Sequence, residues 1–278
     1  MLETLTFGFL GGGNMATALI GGLIARGVPA GSIRVVDPFA DAQQRLARDL
    51  GVHASGAPDA AFGASDVLVL AVKPQQFREA AASLLPYLPA SGAGNLVISV
   101  AAGIRLQDMQ RWLGGRARLV RAMPNTPALS GMGMTGLASP AGLSAQDRAI
   151  ATAVAEAVGK CAWVDGDDQI DAVTAISGSG PAYVFFFIEA MERAAAELGL
   201  SARQGRELAV QTFLGAATLA GESPEAVSTL RERVTSKGGT TYAALTAMQG
   251  AGIADAFVRA MHAAAARGKE MGEEFGKD

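Results

Sequence analysis

Two short segments carry residues whose types and spacing could do chemistry. The first is Gly11-Gly12-Gly13-Asn14-Met15-Ala16, which fits the pattern G-x-G-x-x-A directly after the apolar run Leu5 to Leu10. In such a turn Gly11 permits the tight reversal, Gly13 lets a pyrophosphate approach the backbone, and Ala16 keeps the next helix close to the strand. The helix N-terminus then offers unpaired N–H groups to phosphate oxygens. A Gly-rich turn alone matches by chance in many proteins, so a second residue matters. Asp37 ends the next apolar run, near the spacing of about 20 residues at which a carboxylate meets the ribose of a dinucleotide. A carboxylate there favours NADH and repels the 2′-phosphate of NADPH. Arg34 points elsewhere along its strand and no arginine immediately follows Asp37. The bland alternative is that Asp37 starts a turn with Pro38 or caps the following helix. The cofactor is therefore read as NADPH or NADH.

The second segment is Ser236-Lys237-Gly238-Gly239-Thr240-Thr241, a small-residue loop at a helix start. Backbone N–H groups and hydroxyls gathered there suit an anion the size of a carboxylate, although Ser, Gly and Thr are also ordinary cap and turn residues. What is missing narrows the reaction. Reducing a ketone leaves an alkoxide, so a ketone reductase positions a Lys, His or Tyr as acid, whereas hydride addition to an iminium ion leaves a neutral amine. The segment Ser177 to Ala190 holds no Lys or His, and its Tyr183 is read as packing.

These segments need elements to hold them. Residues 5–10, Ile33 to Val36, Asp66 to Val72, Leu96 to Val100 and Ala117 to Ala122 read as short apolar strands, alternating with helices at 14–26, Ala40 to Leu50 and Leu106 to Leu113. Continuous apolar strands alternating with helices predict an α/β fold, a Rossmann-like doubly wound parallel sheet buried on both faces. Ala71-Val72-Lys73-Pro74 and Val100-Ala101-Ala102 each close such a strand, where ligands of open α/β sheets bind. From Ile170 onward the chain reads as helices only: Pro181 to Leu198, Ala202 to Ala220, Pro224 to Val234, Thr241 to Met248 and Ala254 to Phe275. The run Val184 to Ile188 is apolar around its circumference, so its own bundle or a second copy must bury it, and the Ala-rich apolar helices after Ile170 predict a dimer at least. The expected division is a dinucleotide-binding domain over residues 1–165 and an all-α domain over 166–278.

Composition excludes several classes. The net charge of −3 gives no footprint for nucleic acid, and the one basic cluster, Arg111, Arg116, Arg118 and Arg121, is read as a solvated helix end. A single cysteine, Cys161, beside Trp163 in an apparent strand, is read as an inert core thiol. With His53 and His262 far apart, no metal site is expected. The apolar N-terminus lacks a preceding Lys or Arg and is broken by Gly11 to Asn14, so no secretory signal is expected there. No apolar run approaches the ~18 residues of a membrane span, and a cytoplasmic protein with no membrane partner is expected.

Three further segments are distinctive: Met123-Pro124-Asn125-Thr126-Pro127, Ser177-Gly178-Ser179-Gly180-Pro181-Ala182-Tyr183 and Val234-Thr235-Ser236-Lys237-Gly238-Gly239-Thr240-Thr241. With the Gly-rich turn and Ala71 to Pro74, in this order and over nearly the whole chain, they resemble pyrroline-5-carboxylate reductases. The resemblance implies NAD(P)H-dependent reduction of 1-pyrroline-5-carboxylate to proline, with hydride delivered to C5 of the imine. It implies a helical C-terminal domain that interleaves into a homodimer at least, often in a larger ring of dimers. It places cofactor contacts on Leu10, Gly11, Gly12, Gly13, Asn14 and Met15, on Asp37, on Ala71, Val72, Lys73 and Pro74, and on Val100, Ala101 and Ala102. It places the substrate at Val234, Ser236, Gly238, Gly239, Thr240 and Thr241, with Asp167 nearby and Thr241 the catalytic residue. Two departures stand out. Lys237 replaces the family's usual proline, and Pro58 stands where many members have an asparagine that touches the adenosine ribose, so that contact is not carried over. Two rivals are a 3-hydroxyacid dehydrogenase, which would place a lysine on the Ser177 to Ala190 helix, and a non-catalytic dinucleotide sensor, which has no need of a carboxylate-sized loop.

Overall fold

A computed structural model describes residues 1–90 and 94–277. The first half alternates strand and helix: β1 (Phe7–Leu10), α1 (Asn14–Ala25), β2 (Ile33–Val36), α2 (Ala40–Leu50), β3 (His53–Ser55), α3 (Ala60–Gly63), β4 (Val67–Leu70), α4 (Phe77–Leu84), β5 (Leu96–Ser99), α5 (Leu106–Trp112) and β6 (Arg118–Met123). Then come β7 (Gly133–Ala138), α6 (Ala145–Glu156), β8 (Gly159–Trp163) and α7 (Gly166–Val173). The sheet order is β3-β2-β1-β4-β5-β6-β7-β8, with β1 to β6 parallel, β7 antiparallel to β6, and β8 parallel to β7.

Every residue of β1, β4 and β5 is buried, because successive side chains feed opposite faces and both faces are covered. Phe7, Phe9, Val67, Val69, Leu96 and Ile98 join Leu19 and Ile20 of α1 and Ile150 and Val154 of α6 in one core. The alternate residues Leu10, Leu68, Leu70 and Val97 join Phe77 and Leu84 of α4 and Met109 of α5 in the other. The doubly wound sheet expected from the apolar runs is present. Strand order reverses between β1 and β4, so the crevice outside the carboxyl ends of β1, β2 and β4 is the place for a ligand. The antiparallel β7 was not foreseen, since Gly-Met-Thr-Gly-Leu-Ala lacks an apolar run.

The rest is helical: a π-helical turn at Thr174–Gly178, α8 (Gly180–Glu197), α9 (Ala202–Glu222), α10 (Val227–Arg233), α11 (Thr240–Gly250) and α12 (Ile253–Phe275). By packing, one compact unit comprises residues 1–179 with 264–278, and the other comprises 180–263. This differs from a boundary at 165. Ile170 and Ala175 are buried in the sheet unit, and Gly178 lies so close to Met123 that a Cβ there would stand 2.7 Å from its Cε. The last turns of α12 also pack on the sheet unit through small residues: a Cβ on Gly272 would stand 2.5 Å from Arg105 Nε.

Two sequence expectations are overturned. The Arg111–Arg121 cluster is not a solvated helix end. Arg118 and Arg121 lie in β6, and Arg121 is 2% exposed, with Nη1 2.6 Å from Asp167 Oδ1 and Nη2 3.0 Å from Asp171 Oδ1. Arg118 donates to buried Asp147 at 2.6 Å, and Arg111 to the Gly276 carbonyl at 2.7 Å. A buried guanidinium costs several kcal/mol of desolvation unless paired, and the pairing carboxylates are far along the chain. Nor is a span-length apolar segment absent: Gly166–Glu197 runs on as one helical stretch of 32 residues, long and apolar enough to cross a membrane by length and composition. That stretch combines α7, the π turn and α8.

Within the helical unit, α8 and α9 pack closely: a Cβ on Gly205 would stand 3.0 Å from Ala195 Cβ. Ser201 and Gln204 form a reciprocal capping box at the start of α9. Tyr183 meets Phe257 edge-on with ring centroids 5.8 Å apart. Phe185 (59% exposed), Phe186 (66%) and Leu219 (66%) leave this unit with a large uncovered apolar surface.

Candidate active site

The carboxyl edge of the sheet is set by register. Leu10 pairs with Val36 and Leu70, and Leu70 with Ser99. The next residues, Gly11, Asp37, Ala71 and Val100, therefore stand in one row. The ladder continues through them: Gly11 N–H donates to Val36 O at 2.7 Å, Ala71 N–H to Leu10 O at 2.8 Å, and Val100 N–H to Leu70 O at 3.0 Å. The strands thus deliver four of the sequence-predicted cofactor residues to one line.

The Gly-rich turn is shaped by what each position excludes. Gly11 has φ +100°, and a Cβ there would stand 2.6 Å from the Ala71 carbonyl oxygen. A Cβ on Gly12 would stand 2.6 Å from Leu46 Cδ1. Over Gly13 there is open space, and as N-cap of α1 it brings no capping side chain. The first N–H groups of α1, at Asn14 and Met15, are consequently left for a ligand.

Asp37 is buried and holds this turn. Its Oδ2 accepts the Gly12 N–H at 2.8 Å and its Oδ1 the Phe39 N–H at 2.9 Å. On the other side of the same residue, Arg45 Nη2 donates to Gly12 O at 2.9 Å and Nη1 to Thr17 Oγ1 at 3.3 Å. Arg45, on α2, was missed in the sequence because only the fold brings it back over the turn. Its one sequence signal is a cation on the helix that follows Asp37.

Leu10, Gly11, Gly12, Gly13, Asp37, Ala71, Val72 and Lys73 line one cleft of about 570 Å³, together with Arg45, Phe39 and Pro58. Asn14, Met15, Pro74, Val100, Ala101 and Ala102 are not on its wall. The cleft fits the adenosine diphosphate half of a dinucleotide, with a glycine cradle, an uncapped helix N-terminus and a carboxylate at the end of the second strand.

Farther along the sheet edge, Ala101 N–H donates to Ser99 Oγ at 3.2 Å, and Gly103 (φ +74°) turns the chain into α5. Asp167 stands there, in the first turn of α7. Its carboxylate takes Arg121 and also accepts the Leu106 N–H, at 3.3 and 3.2 Å to its two oxygens. Asn125 Nδ2 donates to Ser177 O at 3.1 Å, and its Oδ1 accepts the Met134 N–H at 2.9 Å, tying two of the distinctive segments together.

In the helical unit, Val234 follows α10 and is exposed, and Gly239 N–H closes a turn onto Ser236 O at 3.0 Å. Gly238 has φ +74°, and Gly239 is the N-cap of α11 without a side-chain cap. Thr240 and Thr241 open that helix, Thr241 half-buried and Ser236 exposed. The loop therefore offers hydroxyls beside an uncapped helix N-terminus, the anion-accepting arrangement read from its residues.

Cys161 lies in β8, half-buried, and burial, aided by the Glu156 carboxylate, pushes its thiol above the ordinary cysteine value.

Comparison with known proteins agrees with this geometry. A family model described as pyrroline-5-carboxylate reductase dimerisation matches residues 167–271, and one described as NADP oxidoreductase, coenzyme F420-dependent, matches residues 6–103. The pyrroline-5-carboxylate reductase of Pseudomonas aeruginosa is 42% identical over 276 residues, covering 99% of this chain and 100% of its own. The structure of a pyrroline-5-carboxylate reductase from Coxiella burnetii matches with a TM-score of 0.90 at 39% identity, over 96% of this chain and 98% of its own. That of the Plasmodium falciparum pyrroline carboxylate reductase with NADP bound matches with a TM-score of 0.85 at 26% identity, over 98% of this chain and 100% of its own. This chain belongs to the pyrroline-5-carboxylate reductase family.

Proposed function

We propose that this chain reduces the C=N bond of 1-pyrroline-5-carboxylate with NAD(P)H to give L-proline, the last step of proline biosynthesis. The observation that carries the reading is the full-length match to pyrroline-5-carboxylate reductases. A glycine cradle in one unit and an anion-accepting loop in the other support it, each within its own unit.

When bound, NAD(P)H supplies the hydride, which goes to C5 of the imine. Leu10 and Gly11 to Met15, with Asp37 and Ala71 to Pro74, hold its adenosine and pyrophosphate, while Val100, Ala101 and Ala102 wall the nicotinamide end. Val234 and the Ser236–Thr241 loop, through Ser236, Gly238, Gly239 and Thr240, fix the substrate carboxylate so that C5 faces the hydride, and this positioning supplies most of the rate gain. Thr241 is the catalytic residue, hydrogen-bonding the ring nitrogen or the carboxylate. Asp167 serves this site by position, since its carboxylate is engaged by Arg121 and by the N–H that opens α5. No strong acid is called for, because hydride addition to an iminium ion leaves a neutral amine, and α8 carries neither Lys nor His.

By function the chain divides into a dinucleotide-binding part, residues 1–165, and a dimerisation and substrate part, 166–278, although 166–179 pack with the sheet. The uncovered apolar faces of α8 and α9 and the match to a dimerisation family support a homodimer at least; a larger ring of dimers and a cytoplasmic location complete the proposal.

The test is consumption of reduced nicotinamide by the purified protein with 1-pyrroline-5-carboxylate, with NADPH and NADH run in parallel. Turnover with either is the expected result. Folded protein that binds dinucleotide yet turns over no imine would overturn the reading in favour of a sensor.

A further inference from the structure

An aspartate at the end of the second strand poses a problem for NADPH, because a 2′-phosphate on the adenosine ribose would meet a carboxylate. The structure changes the terms of that problem. Both Asp37 oxygens already accept a backbone N–H, from Gly12 and from Phe39. Arg45 grips the opposite end of the same residue through the Gly12 carbonyl oxygen. Gly12 is thus flanked by an anion and a cation, both on the wall of the same cleft. The other charged residues on that wall are Lys73 and Glu79. Those two follow β4, on the far side of β1 from β2. Arg45 shares the β2–α2 side with Asp37, where the ribose hydroxyls face in this fold.

We propose that Arg45 is the residue that admits a 2′-phosphate beside Asp37, so that the cleft accepts the phosphorylated dinucleotide despite its aspartate. A guanidinium has five N–H donors in a planar fork suited to phosphate. Two donors are used on Gly12 O and Thr17 Oγ1, which holds the fork in place and leaves N–H groups for a phosphate in the cleft. The inference rests on reading this cleft as the adenosine site.

The experiment uses two probes that differ only in the phosphate at issue, adenosine 2′,5′-bisphosphate and 5′-AMP, titrated calorimetrically into the full-length protein. The wild type is expected to bind both, the bisphosphate more tightly. Arg45→Gln is expected to weaken the bisphosphate about tenfold or more, the loss of a charge-assisted contact, and 5′-AMP by less than about threefold. Arg45→Lys retains a cation at the site and keeps part of the preference, which also serves if the glutamine variant fails to fold. Equal loss for the two probes would mean that Arg45 only braces the glycine turn, and no loss that it does not reach the phosphate; either overturns the proposal. A loss of preference in Lys73→Gln instead would assign the phosphate to the other side of the cleft and also overturn it. Failure of the wild type to bind either probe would instead refute the adenosine-site reading itself.

Discussion

Replacing Arg121 by methionine should destabilise the protein far more than an ordinary arginine substitution. Its side chain is 2% exposed and bridges two carboxylates, at 2.6 Å to Asp167 and 3.0 Å to Asp171. Removing one member of a buried ionic group strands the others, at a cost of about 3–5 kcal/mol. Two features pull the value toward the lower end. Asp167 keeps 20% of its side-chain surface in water, and Arg105 Nη2 stands 3.8 Å from Asp171 Oδ2. A loss of about 3 kcal/mol corresponds to a Tm drop of about 6–12 °C for a unit of this size. It would also be a large share of the ~5–15 kcal/mol that separates folded from unfolded chains. The assay is urea unfolding followed by Trp112 and Trp163 fluorescence, at one fixed protomer concentration because assembly adds to apparent stability. Neutralising both carboxylates in the Arg121→Met background (Asp167→Asn with Asp171→Asn) should recover part of the loss, since the stranded carboxylates are then gone, and only part because Arg105 loses its 3.8 Å partner Asp171. A single-variant loss below about 1 kcal/mol, or no recovery in the triple variant, would refute the stranded-charge argument.

Gly11→Ala should abolish dinucleotide binding and lower stability by more than about 1 kcal/mol. The new Cβ meets the Ala71 carbonyl oxygen and the residue must hold φ +100°; binding titration and thermal unfolding report the two effects, and intact binding would refute the close-approach reading. Thr241→Ala is expected to cut turnover about 10- to 100-fold while Tm stays put, the loss of one hydrogen bond to the reacting ring or its carboxylate; unchanged kcat and KM would remove Thr241 from the mechanism. The Cys161 thiol, raised by burial and then by Glu156, holds less thiolate at neutral pH than an ordinary cysteine. Its alkylation should therefore be slow at neutral pH and climb only at alkaline pH beyond the usual cysteine range, and labelling as fast as a free thiol would contradict this.

The sequence made legible what lies in short-range pattern. The apolar runs of β1, β2, β4, β5 and β6 fall within two residues of their predicted ends, since a strand buried on both faces is apolar at most positions, with Arg121 of β6 a paired exception. The Gly-rich turn was readable because glycine is required where a Cβ would strike backbone, as at Gly11. What escaped depends on residues distant in the chain. Arg121 looks like one of four surface arginines until β6 places it 2.6 Å from a carboxylate 46 positions away. Arg45 acquires meaning only when α2 folds back over Gly12. By packing, the chain divides later than the expected boundary at 165, for a related reason: helical residues need not belong to the helical unit, and Ile170 and Ala175 are buried with the sheet. Strand β7 was missed because its two glycines break the apolar pattern.

The site as read needs little from acid–base groups and much from geometry. The cofactor edge is fixed by ladder hydrogen bonds at Gly11, Ala71 and Val100, none of which titrates. Two carboxylates at that edge are already engaged: Asp37 by two backbone N–H groups and Asp167 by Arg121 and Leu106. Neither is left as a free base or acid, and Tyr183 is turned edge-on against Phe257. A ketone reductase needs an acid for its alkoxide product, and Asp37, Asp167 and Tyr183, engaged in this way, do not offer one. An imine reductase needs none, because its substrate enters the hydride step already protonated on nitrogen and leaves as a neutral amine. What the chain must then supply is a fixed separation and angle between two bound molecules, and effective molarity gained by such placement is worth about 7–11 kcal/mol. That is a sufficient role for a glycine cradle and a small anion-accepting loop.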